Sequence, residues 1–238
     1  MKNITAILQK EFKSYFNSPI AYIFIITFIL FSNWLFFRTF FLIGQAHLRP
    51  LFSIFPWLFL FLAPSITMRA FAEEKKMGTI EVLMTLPIKD YEVVLGKFFA
   101  SFFFMITTVI LTFPLTLTVY SLGQPETGSI VGGYLGACLM GGAYLAIGLF
   151  CSSLTNNQIV AFIISTVSCF VFLIIGEDMV LMSAPATLTP LFSYLGLGAH
   201  FESISRGVID SRDVIYYVST IGFFLFLNTL ALESRKWK

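Results

Sequence analysis

Residues 20–43 read IAYIFIITFILFSNWLFFRTFFLI, and these 24 residues contain a single charge, Arg38. A helix of that length rises about 36 Å at 1.5 Å per residue, enough to cross a hydrocarbon core of about 30 Å. A secretory leader has an apolar run of only about 7–15 residues closed by a small-residue cleavage site. This run is therefore expected to stay in place as a spanning helix. Five more apolar stretches follow at 51–68, 93–122, 130–151, 158–181 and 213–232. The stretch 51–68 is short and carries Pro56 and Pro64, which leaves a re-entrant pair of half-helices as its alternative. Continuous runs, rather than short alternating segments, argue against a membrane barrel. The expected fold class is all-α: a polytopic membrane protein with six transmembrane helices in a single domain, residues 1–238.

Composition agrees with that reading. Hydrophobic residues make up 57% of the 238 and charged residues 12%, with 29 Phe. Soluble domains average about 45–50% apolar and about 25% charged, so an ordinary soluble globule is excluded. Nucleic acid is not an expected partner; membrane lipids are. Cys138, Cys151 and Cys169 have no paired spacing and read as small packing residues rather than a disulfide framework or zinc site.

Charge placement orients the spans. Lys2, Lys10 and Lys13 precede the first, Arg69, Lys75, Lys76, Lys89 and Lys97 follow the second, and Arg235, Lys236 and Lys238 end the chain. Only Arg38, Arg49, Arg206 and Arg212 fall on the other side. Positive charge favours the cytoplasm, so both termini are expected there. Residues 1–17 do not span. Ile4, Ile7, Leu8, Phe12, Tyr15 and Phe16 recur at helical spacing, away from Lys2, Gln9, Lys10 and Lys13. That pattern predicts an amphipathic helix in the cytoplasmic interface, the alternative being a plain charged flank. Asn17-Ser18-Pro19 ends it.

The segment from Arg69 to Lys97, RAFAEEKKMGTIEVLMTLPIKDYEVVLGK, holds ten of the chain's 28 charged side chains. Gly78-Thr79 suits a turn and helix start, and Glu81 in the first turn faces the positive end of the dipole. Ile80, Leu83 and Met84 make a small apolar face. Pro87 stops that helix, and Asp90 can cap the next, with Glu92 in its first turn. A short amphipathic helix of this kind can dock into a groove on a soluble partner; it can equally be a solvated connector.

In this order, Arg69, Phe71-Ala72-Glu73-Glu74-Lys75, Gly78-Thr79, Glu81, Leu83, Pro87, Glu92 and Gly96-Lys97 resemble the permeases of ABC-2-type transporters, and the six-span layout resembles them over the whole chain. The opening Phe16-Asn17-Ser18-Pro19-Ile20-Ala21-Tyr22 and the short chain look most like the gliding-motility-associated group, with nitrous-oxide-reductase maturation permeases a near neighbour. His200-Phe201, Arg206-Gly207 and Asp210 before the last span are also similar. The large external domain that many members carry between spans one and two is missing here, where that loop covers about 44–50. The resemblance implies a cytoplasmic coupling loop at 69–92 that meets a nucleotide-binding subunit through Arg69, Glu73, Glu74, Lys75, Gly78, Thr79, Ile80, Glu81, Leu83, Met84 and Pro87. It also implies a second permease copy or homologue, and a bacterial cytoplasmic membrane.

No G-x-x-x-x-G-K-[ST], G-x-S-x-G, H-E-x-x-H or C-x-x-C occurs, so the chain is not expected to be an enzyme. It is expected to hold no cofactor; ATP and Mg belong to the partner ATPase. Gly128, Gly132 and Gly136 form a G-x-x-x-G ladder that Ala137/Gly141 extends, a ridge that permits close helix contact within the subunit or across a dimer. Glu177, Asp178 and His200 are the outer-interface candidates; Glu177 and Asp178 close span five, with intramembrane carboxylates as their alternative reading. The segment 182–212, broken by Pro and Gly yet apolar, is expected to form short re-entrant helices outside. His200 and Glu202 lack a third metal ligand. The expected function is the permease subunit of an ATP-driven exporter. A mechanical or regulatory complex acting on envelope partners is the alternative.

Overall fold

The computed structural model describes residues 2–80, 88–185 and 187–234, and these are helical throughout apart from turns and short links. Helix α1 (Lys2–Asn17) lies at one end of the molecule, here the basal end. The chain breaks at Ser18, whose Oγ accepts from the N–H of Ile20, and Pro19 opens α2 (Pro19–Ile43). Proline suits that position because its fixed φ is already helical and its missing N–H would be unpaired anyway. Gly44 closes α2 at φ +64, the left-handed conformation that glycine adopts at no steric cost. After this tight link α3 (Arg49–Thr67) returns toward the basal end. Pro56 and Pro64 are both inside α3, which continues through them; the re-entrant alternative is not what the chain does.

Beyond the short α4 (Ala72–Lys76), α5 (Asp90–Ile110) and α6 (Phe113–Leu122) occupy the third expected span. That span is not one helix. It breaks at Leu111–Thr112, just before Pro114, which cannot donate to the preceding turn. Tyr134 bridges the break, its hydroxyl 3.3 Å from Thr112 Oγ1 and 3.0 Å from Thr116 Oγ1. Helix α7 (Thr127–Leu154) runs back to the basal end, and α8 (Gln158–Ile174) leaves it. Three short helices follow at the opposite end, α9 (Asp178–Ser183), α10 (Thr189–Leu195) and α11 (Leu197–Ser205), and then α12 (Ser211–Glu233).

Among the described residues five helical stretches are long and apolar enough to cross a membrane: Pro19–Ile43, Arg49–Lys76, Asp90–Leu122, Thr127–Leu154 and Ser211–Glu233. The span expected over 158–181 is shorter. Its helix has 17 residues and stops where Gly176 meets Gly196, a backbone contact with no room for a Cβ on either side.

Helix α7 is the centre of the fold. It packs on α3, α5, α8, α11 and α12, and its glycines make that possible. A Cβ on Gly133 would sit 2.2 Å from the Phe52 ring, one on Gly141 2.2 Å from Met105 Sδ, and one on Gly148 2.2 Å from Thr67 Oγ1. Phe52, Phe55 and Phe59 of α3 are fully buried between α2 and α7. By contrast α2 presents Ile23, Ile26, Leu30, Trp34 and Leu42 outward, an apolar exterior that suits contact with lipid.

Candidate functional site

At the basal end two carboxylates from different helices meet one lysine. Lys97 stands two turns into α5, and its side chain is 2% exposed. Its ammonium lies 2.9 Å from Glu11 Oε1 on α1 and 2.7 Å from Glu74 Oε1 on α4. It also lies 5.3 Å from the centre of the buried Phe71 ring, within reach of a cation–π interaction. One cation therefore ties three helices together. Removing it would leave two part-buried carboxylates facing each other.

Helix α4 is fastened from a second side. The N–H groups of Phe71 and Ala72 both donate to Ser152 Oγ at 3.2 Å, and that hydroxyl donates onward to the Met68 carbonyl at 3.1 Å. Ser152, near the end of α7, thus takes up two N–H groups at the start of α4, in the role usually taken by a local capping side chain. Lys75 Nζ donates to the neighbouring Ser153 carbonyl. Helix α1 is held along α5. Asn3 Nδ2 donates to Glu92 Oε2 at 3.0 Å, Ile7 packs where a Cβ on Gly96 would meet it at 2.7 Å, and the Tyr15 hydroxyl lies 3.0 Å from Ser101 Oγ. Burial raises the Tyr15 phenol well above its ordinary value. Glu92 also accepts from the Lys89 N–H at 3.2 Å. The start of α5 is thus closed by Glu92 reaching back, while Asp90, expected as the cap, is already inside the helix.

Of the residues expected in the coupling loop, Glu74 and Lys75 face the body of the protein through these contacts. Glu73 is half-buried beside a cavity that Arg69 also lines. Gly78 makes the expected turn at φ +71, and Thr79 Oγ1 donates to the Glu74 carbonyl at 3.3 Å. Ile80 is buried. Glu81, Leu83, Met84 and Pro87 lie outside the described residues. The sequence placed Lys97 in the motif but gave it no contact with this loop, and it did not mark Asn3, Glu11, Ser152 or Ser153 at all. Those four come from distant parts of the chain.

The glycine ladder divides. A Cβ on Gly132 would lie 2.2 Å from the Ile204 carbonyl oxygen, and one on Gly136 3.2 Å from Ile204 and Phe201, so both face α11; Gly141 faces α5, and Gly128 faces open space. At the opposite end His200 is set between two acceptors, with Nδ1 2.7 Å from Asp213 Oδ1 and Nε2 3.0 Å from the Tyr194 carbonyl. Its ring stacks on Tyr216 at 4.0 Å. Glu177 instead lines a separate cavity with Arg49, Trp57, Glu202 and Arg206, so His200 and Glu177 do not share a partner. Partial burial, then Glu202 and Asp178, raise the Glu177 carboxyl above its ordinary range. Among the described residues no three His, Cys, Asp or Glu side chains could hold a metal ion together.

Comparison with known proteins adds one positive result. The family model described as ABC-2 family transporter protein matches residues 5–232. A search of curated proteins finds no match.

Proposed function

The chain belongs to the ABC-2 transporter family, and from that premise we propose that it is the membrane-spanning permease subunit of an ATP-driven exporter in a bacterial cytoplasmic membrane. A separate ATPase subunit hydrolyses ATP with its Mg, and a second permease copy or homologue completes the transporter. The basal end faces the cytoplasm, where most of the Lys and Arg stand. In this reading α8 is the sixth span. Its 17 residues rise about 26 Å, at the short end of the roughly 17–25 residues that cross a bilayer, and an even number of crossings puts both termini on one side. Helix α1 lies along the cytoplasmic interface, and residues 69–92 meet the ATPase.

The observation that carries the proposal is the three-helix junction at Lys97. A transporter must turn the closing of soluble ATPase domains into movement of membrane helices. A loop that swings freely transmits nothing. Here Glu74 and Lys75 clamp the start of the loop to α1, α5 and α7, so force applied at Gly78–Pro87 reaches three helices at once.

The test is co-purification of the tagged chain with its ATPase, followed by ATPase assay, for the wild type, Glu74→Lys and Leu83→Asp. Retention by the wild type, with release or uncoupling in both variants, is expected. If the wild type holds no ATPase, or the variants behave as it does, the loop is only a connector.

A second reading keeps the ATPase but removes the cargo. The link between α2 and α3 covers only Gly44 to Leu48, which leaves no domain there to receive a substrate. That favours a complex doing mechanical or regulatory work on envelope partners, as in the gliding-motility group. ATPase activity stimulated by a candidate substrate, absent in this second case, separates the two.

A further inference from the structure

Two cavities on the side of the molecule adjoin at Phe24 and Ser65, which line both. The first, about 460 Å³, is a groove between α2 and α3 walled by Phe28, Phe31, Trp57, Phe61 and their aliphatic neighbours. It opens sideways, because Phe31, Trp57 and Phe61 are half-exposed. From Phe24 to Leu35 it follows α2 for about 16 Å at 1.5 Å per residue, the depth of one leaflet of a core about 30 Å thick. The second, about 350 Å³, lies at the basal mouth of the groove, under α1, and is lined by Lys10, Ser14, Arg69, Glu73 and Glu74 among others.

An apolar slot one leaflet deep that ends in a charged chamber at the level of α1 has the shape of an amphiphile. The charges specify which one. Lys97 is taken by Glu11 and Glu74. Arg69 Nε is buried with no hydrogen-bond partner among the described residues, and so is Glu74 Oε2. A buried donor and a buried acceptor left unpaired are both costly, and each asks for the opposite kind of group. Arginine's fork fits a phosphate, and Lys10 lines the same cavity. The free carboxylate oxygen of Glu74, with Glu73 next to it, requires an N–H donor.

We propose that this space is a binding site for a single phospholipid with an ethanolamine head. The phosphate sits at Arg69 and Lys10, the ammonium at Glu74 and Glu73, and one acyl chain lies between α2 and α3. A choline head has no N–H to give Glu74, and a glycerol head brings no positive charge to two carboxylates. The site stands whatever the complex exports, and it would make α1, the loop anchor and the bound lipid one unit.

The full chain in mild detergent is offered equal amounts of phosphatidylethanolamine, phosphatidylcholine and phosphatidylglycerol, and native mass spectrometry counts the lipid retained. One phosphatidylethanolamine per chain is expected, preferred by about tenfold, the size of one well-placed charged hydrogen bond. Arg69→Gln should abolish retention of all three. Ser65→Trp, which adds bulk at a residue lining both cavities without changing a charge, should do the same. Glu73→Gln should bring phosphatidylethanolamine down toward phosphatidylcholine, and Glu202→Gln at the opposite end should change nothing. Ser65→Trp keeps the test alive if Arg69→Gln does not fold. Equal retention of the three lipids, no retained lipid, or retention unchanged in Ser65→Trp overturns the proposal.

Discussion

Lys97 is one charge serving two carboxylates in a place water barely reaches, and its replacement tests how much of the basal end depends on it. Lys97→Met keeps a long unbranched side chain in the same buried place but leaves Glu11 and Glu74 without their cation. Loss of one partner of a buried pair costs about 3–5 kcal/mol, so the variant should melt well below the wild type in detergent and release α1 to proteolysis. At the opposite end the sign is reversed. Glu177 is raised above the ordinary carboxylate range by its surroundings, so its ionised form weakens the fold. That penalty is absent below the ordinary carboxylate range, where folded and unfolded chains are both protonated, and grows as pH rises through the shifted value. Glu177→Gln should therefore be the more stable protein at neutral pH and match the wild type in acid, as thermal melting across pH would show.

Between helices, the controlling quantity is the distance of closest approach. On α7, Gly132 faces the Ile204 backbone, which cannot move aside as a side chain can. Gly132→Ala should cost about 1–3 kcal/mol through overpacking. Gly128→Ala, four residues away on the same ladder but facing open space, should be neutral or gain up to about 1 kcal/mol from helix propensity. Thermal melts of the pair separate a packing ridge from a mere pattern of glycines. The long helices were legible in the sequence because an apolar run of spanning length has few other uses. The break at Leu111–Thr112 was less legible, since Pro114 sat inside an otherwise continuous run. The early end of α8 was hidden too, because Ile174 and Ile175 continue the run and only the contact of Gly176 with Gly196 stops it. Helix α4 went unread for another reason: five residues carry no periodicity, and the group that caps it, Ser152, is about 80 positions away.

At the scale of the whole molecule the basal end is an assembly of α1, α4, α5 and the end of α7, and α1 is the one component that can be removed genetically. Deleting residues 2–17 takes away Asn3, Glu11 and Tyr15 together. The remaining chain should still insert, since its long apolar helices are intact; if the proposed ATPase docks on the loop, it should be held loosely and fail to couple, which co-purification and ATPase assay on the same membranes would show. The candidate site was only half legible for the same reason. The sequence marks the loop as charged, yet which charges turn inward depends on α1 folding back over α5, and that is decided by Ile7 finding the space beside Gly96.

The central position of α7 has a consequence for biosynthesis. About 28% of the apolar window of α2 is buried, against 78% for α7. Helix α2 can leave the insertion machinery and wait in lipid alone, but α7 emerges with glycine faces that lipid fills poorly. It needs α3 and α5 already standing beside it, and it stays open along one side until α12 arrives, when Ile221 and Phe224 reach Gly142 and Phe150. A ribosome that stalls between residues 154 and 211 leaves a chain whose least lipid-compatible helix is bare on that flank, and such a chain is the form a membrane quality-control protease would meet first.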